Sequence, residues 1–333
     1  MSDPLTLHRA LLTLDSHIDI PWPDGPPFAA ETTRRVDLPK LRRGHLAAGC
    51  FAAYVPQGRR TVEGHAAAFA RAIAMLEAIR GMAAPPARPC RTADEIERAW
   101  QDQATAIVPA VENGYALGTD PGRVRQFAAL GARYVTLTHN GHNDLADSAV
   151  PRPDLGDSGE EHGGLSPLGR AAIAEMNRCG LLVDVSHASR AAMLAAAAAS
   201  RTPVVATHSC VAALAAHPRN LDDGQLDALR DVGGAVQITA VPAFLRAGGR
   251  AETVGVADFA DHIDHAVQRI GIAHVGISSD FDGGGGVRGW RDAAETPAIT
   301  AELVARGYDR AALAALWGGN FLRLLRAAEQ AAE

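Results

Sequence analysis

Eight short runs of apolar and β-branched residues, at about 11–17, 47–54, 106–111, 133–138, 181–186, 203–207, 234–239 and 274–279, set the terms on which this chain can fold. Helical patterns fill most of the intervals, among them EGHAAAFARAIAMLEAIR, SPLGRAAIAEMNRCG and VADFADHIDHAVQRIG. Strand and helix in strict alternation argue for parallel strands joined by crossovers. Eight such strands match a closed barrel better than an open sheet, so the expected fold is α/β, a (β/α)8 TIM-type barrel. Helix punctuation agrees: Ser166–Pro167 opens one segment that Gly180 closes, and Asp120–Pro121 opens another that Gly131 closes. Two stretches break the rhythm. Residues 55–105 hold two extra helical segments, and residues 140–165 form a long polar loop, rich in Gly and Pro, after the fourth run. Structureless loops of that length are commonly functional, and this one is expected to be a substrate-facing flap. The 333 residues are read as one barrel domain, a length such barrels often reach.

Six of the runs end in His, Asp or Glu. They are LLTLDSHID (His17, Asp19), AIVPAVE (Glu112), RYVTLTH (His139), LLVDVSH (His187), PVVATH (His208) and HVGISSD (Asp280). The carboxyl ends of barrel strands open into one shared mouth, so residues from position 17 to position 280 are expected to converge there. Their ligand atoms suit divalent metals such as zinc. His17 and Asp19, two apart on a strand, point the same way. His142 and Asp144 share that spacing but lie in the polar loop, where a solvated turn is the simpler reading. Glu112 is costly to bury without a partner, and its two oxygens suit it to bridge two cations. His187 and His208 end consecutive runs, and neighbouring strands lie roughly 4.8 Å apart. Each alone reads as an ordinary core histidine; at matched positions, ligation is the better reading. Asp280 precedes the glycines Gly283–Gly286, which let a substrate approach the backbone. It is suited to orient a water and pass its proton onward, whereas Asp282 reads as a turn residue. His139 is a candidate donor to a developing oxyanion. Arg219, in HPRN, suits a substrate carboxylate, with a structural salt bridge or helix cap as the rival reading.

Composition removes other classes. A net charge of −6 without a Lys/Arg-rich block argues against nucleic-acid partners. No apolar stretch reaches the roughly 18–20 residues of a membrane span, and the N-terminus lacks the pattern of a secretory leader. A cytoplasmic location with no membrane partner is expected. The four cysteines have no CxxC spacing and are expected to be free thiols. Aromatics make up only 5%, so packing is expected to rest on Ala, Leu, Val and Ile.

The segments DSHIDIPW, VENG, LTHN, GLSPLGRAAIAEMNRCGLLVDVSHAS, ATHS, HPRN, SSDFDG and GGNFLRL, in that order, resemble the membrane (renal) dipeptidase family. These are zinc peptidases among the amidohydrolase-like barrels, and the resemblance covers most of the chain. It implies two zinc ions: His17, Asp19 and Glu112 for one, and Glu112, His187 and His208 for the other. It also implies that His139 faces the scissile carbonyl, that Arg219 binds the terminal carboxylate and that Asp280 handles the proton. The implied activity is hydrolysis of dipeptides with a free C-terminal carboxylate, through a hydroxide bridging the two ions. Acceptance of a C-terminal D-residue stays open, and a homodimer is a further implication. Two departures stand out. Animal members often carry a Tyr after the seventh strand, where QITAVPAFL offers Val241 or Pro242. The disulfide cysteines and lipid-anchor tail of secreted members are missing, in keeping with a soluble bacterial-type enzyme. Two rivals remain: a barrel metallohydrolase for another amide, lactone or ester, and a metal-free binding protein on the same fold. A phosphate-binding barrel is only faintly suggested by Gly283–Gly286.

Overall fold

The computed structural model describes residues 3–333 and contains a single sheet of nine parallel strands. The strands are β1 (Leu14–Asp19), β2 (Ala48–Tyr54), β3 (Ala87–Pro89), β4 (Thr105–Glu112), β5 (Tyr134–Thr136), β6 (Leu182–Asp184), β7 (Val205–Ser209), β8 (Ala235–Thr239) and β9 (Val275–Ser278). Eight of them follow the order β1-β2-β4-β5-β6-β7-β8-β9. The ring then closes on itself. Ile18 bridges Phe281 in parallel, the Asp19 N–H donates to Phe281 O at 3.0 Å, and the Asp280 N–H donates to His17 O at 3.1 Å. The chain is therefore a TIM-like barrel, and each of the eight expected runs overlaps one of its strands.

The ninth strand was not expected. β4 meets β5 only at Val111 and Val135, which leaves the first half of β4 with an open edge. β3 covers that edge, Ala87 opposite Thr105 and Pro89 opposite Ile107. The helices Val62–Gly81 and Ala93–Gln101 flank β3 and are the two segments expected in residues 55–105. Thr61 and Thr92 cap them, accepting from the N–H of Gly64 and Glu95. Ser166 caps Pro167–Arg178 in the same way, and Gly180 ends it at φ +67°. Asp120 instead forms a turn, accepting from the Gly122 N–H, and its helix begins at Arg123.

The barrel interior has two storeys. Its lower half is apolar: Leu14, Cys50, Val108, Tyr134, Leu182 and Val205 pack on Phe321 and Leu325 of the helix Asn320–Gln330. That plug leaves the upper half to polar side chains. The outer faces of the strands pack on the surrounding helices. Here the scarce aromatics are concentrated rather than dispensable: Trp290 meets Phe259 and Phe281 edge-on, with centroids 5.3 and 5.2 Å apart. All four cysteines are free. No helix among the described residues is long and apolar enough to cross a membrane.

The loop of residues 140–165 is fastened to its neighbours, with Glu161 paired to Arg60 at 2.7 Å and the Ala149 N–H donating to His187 O at 2.8 Å, and it is also tied to itself. The Asp147 carboxylate accepts from the N–H groups of Glu161, His162 and Gly164. His142 is buried, with Nδ1 accepting from the Ser148 N–H at 2.9 Å and Nε2 lying 2.9 Å from Ser158 O.

Candidate metal centre

Seven side chains from six strand ends meet at the top of the barrel. β1 presents His17 and Asp19, β4 presents Glu112 and β7 presents His208; His139, His187 and Asp280 sit just beyond β5, β6 and β9. His187 and Asp280 have left-handed backbones, φ 66° and 56°. Non-glycine residues adopt that conformation only where their surroundings hold them in it. Here it turns each side chain off its strand and into the mouth.

Glu112 is the hub. Its Oε1 lies 3.2 Å from His187 Nε2, 3.4 Å from His208 Nε2 and 3.9 Å from His139 Nε2, while Oε2 lies 3.7 Å from His17 Nε2. His17 Nε2 is also 4.0 Å from Asp19 Oδ1 and 4.0 Å from Asp280 Oδ1. Two groups of possible ligand atoms result, His17–Glu112–His208 and Glu112–His139–His187, each spanning no more than 4.8 Å. They share Glu112, the arrangement of a two-ion centre. By distance alone, His208 falls with His17, and His139 with His187.

Three of the imidazoles are also anchored from behind. His17 Nδ1 lies 2.9 Å from Tyr134 Oη, His208 Nδ1 2.9 Å from Thr207 Oγ1 and His187 Nδ1 3.1 Å from Asn140 Oδ1. An oxygen on Nδ1 leaves Nε2 free as a donor atom, the usual support of a metal-bound histidine. His17 Nε2 and Asp19 Oδ1 are buried with no hydrogen-bond partner in the chain. Buried polar atoms are rarely left unpaired, so the residues present fit a bound cation.

The charges point the same way. Burial, then Glu112, raises the Asp19 carboxyl well above its ordinary range. Burial also raises Asp280, with Glu112 adding and His17 opposing, to about 7. Burial disfavours the His17 imidazolium, but Glu112, Asp280 and Asp19 outweigh it and lift its pKa to about 10. Burial lowers His187 and His208, the latter to about 3, so both are neutral ligand-type imidazoles. Crowded carboxylates that repel one another are what a cation relieves.

A cavity of about 470 Å³ opens above this centre. Glu112, His139, His187, His208 and Asp280 form its base, and Arg219, Phe244, Tyr54 and Val150 are among its walls. Arg219 is neither salt bridge nor helix cap. It is 4% exposed, its Nη2 donates to His208 O at 3.3 Å, and its Nε has no partner. Phe244 lies beneath it, 5.4 Å from guanidinium carbon to ring centroid. Of the loop 140–165, only Asn140 and Val150 line the cavity. Asp144 pairs with His65 at 2.9 Å, so the second His–Asp pair organises the loop. Asp282 is a tie rather than a plain turn: it holds Arg34 and the N–H of Arg35.

Sequence reasoning missed Tyr134, Asp184, Thr207 and Phe244. The one available signal was an acid inside an apolar strand, the Asp184 of LLVDV.

Residues 2–333 match the family model described as membrane dipeptidase (Peptidase family M19). The chain is 38% identical over 241 residues to Dipeptidase verJ of Clonostachys rogersoniana, covering 72% of this chain and 60% of that one. It thus spans less than two thirds of that relative's length. Among solved structures, the probable dipeptidase PvdM of Pseudomonas aeruginosa superposes with a TM-score of 0.94 at 31% identity, over 99% of this chain and 98% of that one. A metallo peptidase from Rhodobacter sphaeroides, liganded with a phosphinate mimic of the dipeptide L-Ala-D-Ala, has a TM-score of 0.82 at 29% identity, over 96% and 99%.

Proposed function

The chain belongs to the membrane dipeptidase family, and from that premise we propose that it is a two-zinc dipeptidase acting on dipeptides with a free C-terminal carboxylate. The observation that carries this reading is Glu112 between three imidazoles, 3.2 Å from His187, 3.4 Å from His208 and 3.7 Å from His17. Under it, His17, Asp19 and Glu112 hold one ion, and Glu112, His187 and His208 hold the other. Bound there, two such cations supply a water of lowered pKa and an electrophile for the carbonyl oxygen.

The remaining steps fall to side chains. Arg219 clamps the substrate carboxylate, because its Nε is unpaired and it sits in the cavity wall. This clamp limits the substrate to two residues. His139 is the most exposed of the four imidazoles, at 22%. Burial lowers its pKa, so it is neutral and donates an N–H to the developing oxyanion. Asp280, with a pKa near the ambient pH, takes the proton of the attacking water and delivers it to the leaving amine. The Rhodobacter relative's ligand supports including a C-terminal D-residue. The four free cysteines support a cytoplasmic setting.

The test is metal content measured together with hydrolysis of L,L- and L,D-dipeptides, lactones and N-acyl amino acids. Two zinc equivalents and turnover of dipeptides alone are expected. A fully metallated chain that cleaves lactones or N-acyl amino acids but not dipeptides would overturn the reading.

A further inference from the structure

Beneath the ligand atoms lies a buried polar network that the reaction does not use. Asp184, at the end of β6, is fully buried. Four donors meet its carboxylate. Oδ1 accepts from the N–H of Ser186 at 2.9 Å and of Thr207 at 3.0 Å. Oδ2 accepts from the hydroxyls of Thr136 at 2.6 Å and Thr207 at 2.7 Å.

A hydroxyl has one hydrogen to give. Thr207 gives its hydrogen to Asp184, so towards His208 Nδ1, 2.9 Å away, it can only accept. His208 must then carry its hydrogen on Nδ1 and keep the Nε2 lone pair facing Glu112. Tyr134 supports the neighbouring imidazole, His17, in a similar way. Its hydroxyl donates to Ser16 O at 3.0 Å, and so accepts from His17 Nδ1 at 2.9 Å.

We propose that Asp184 and Thr207 are positioning residues: the buried carboxylate fixes the direction of the Thr207 hydroxyl, which selects the His208 tautomer able to ligate a cation. The cation in this statement rests on the two-zinc reading; the tautomer does not.

The amide variant of Asp184 sharpens the idea. In Asp184→Asn, the N–H groups of Ser186 and Thr207 hold the amide oxygen, which turns the amide nitrogen towards the two threonine hydroxyls. Thr207 must then accept from the amide, and its own hydrogen turns to His208 Nδ1. The tautomer inverts, and the hydrogen moves to Nε2, where it blocks ligation.

Nitrogen NMR of the cation-free chain, labelled at histidine, reads this directly. The unaltered protein should show His208 with its hydrogen on Nδ1. Thr207→Val should populate both tautomers and weaken zinc affinity, by chelator competition, about tenfold to a hundredfold. Thr207→Ser should restore both readouts, and Asp184→Asn should move the hydrogen to Nε2. An unaltered protein with the hydrogen on Nε2, or a folded Thr207→Val with unchanged tautomer and affinity, would overturn the proposal. Should Thr207→Val not fold, the unaltered spectrum and Thr207→Ser decide it, since a Ser variant lacking the Nδ1 hydrogen also overturns it. Zinc stoichiometry of the unaltered chain tests the two-zinc reading separately.

Discussion

Arg219 is a buried cation with no carboxylate in salt-bridge contact among the described residues, although Asp280 and Glu112 lie near enough to favour its charge. Burial drags its pKa down to about 10, and what it touches is the His208 carbonyl and the face of Phe244. An unpaired buried charge is expensive, which fits the proposed role of this side chain as the clamp on a substrate carboxylate. Arg219→Met should remove that partner's charge-assisted hydrogen bonds, which are worth ~1.5–3 kcal/mol, or roughly 10- to 150-fold in kcat/KM. The loss should fall on dipeptides, while dipeptide amides, already poor substrates, should change little. Equal losses on both would show that Arg219 does not read the carboxylate. This residue was legible because HPRN sits apart from the helices. Asp184, Thr207 and Tyr134 were not, because each lies within a strand or at its end, and nothing in a linear pattern separates a polar core contact from a ligand's support. His142 and Asp144 mislead in the opposite sense: the spacing of a ligand pair, used to brace a loop.

At the scale of an element, the turn after β9 carries the most constraint. Gly283 is packed so tightly that a Cβ would lie 2.4 Å from Asp19 Oδ2 and 2.5 Å from Asp280 Oδ1. The role of this glycine run is thus wider than substrate access, because the backbone itself packs against two site carboxylates. Gly283→Ala must displace them, and misplacement of about 1 Å at a reacting centre costs about 100-fold. The variant should lose roughly that much turnover and one zinc equivalent, with thermal stability close to that of the parent. Unchanged turnover with both zincs retained would show that the carboxylates tolerate the shift. Elements were legible where apolar runs and caps recur, as at Ser166. β3 was not, since three residues ending in a proline give no periodicity, and its pairing answers a gap left by β5. The ordering of residues 140–165 by Asp147 also escaped, because three backbone N–H groups on one carboxylate leave no mark in composition.

At the scale of the whole molecule, the short helix Pro4–Arg9 is fastened by one imidazole. His8 is buried, with Nδ1 2.6 Å from Thr300 Oγ1 and Nε2 2.9 Å from Gly44 O, and it meets Trp317 edge-on. Burial pushes its pKa down from 6.5 to about 4. Between those values the unfolded chain takes up a proton that the folded chain refuses, so this contribution is intact above pH 6.5 and is lost as pH falls towards 4. The slope is at most ~1.4 kcal/mol per pH unit. His8→Gln should therefore show a shallower fall in Tm than the parent across that window, and parallel profiles would mean that His8 does not titrate there.

Two of the hydrogen bonds that shut the ring run between backbones, those of His17, Asp19, Asp280 and Phe281. The clasp and the chemistry thus share the same few residues. A barrel ajar at that seam would part Asp280 from His17 and scatter the candidate ligand atoms gathered there.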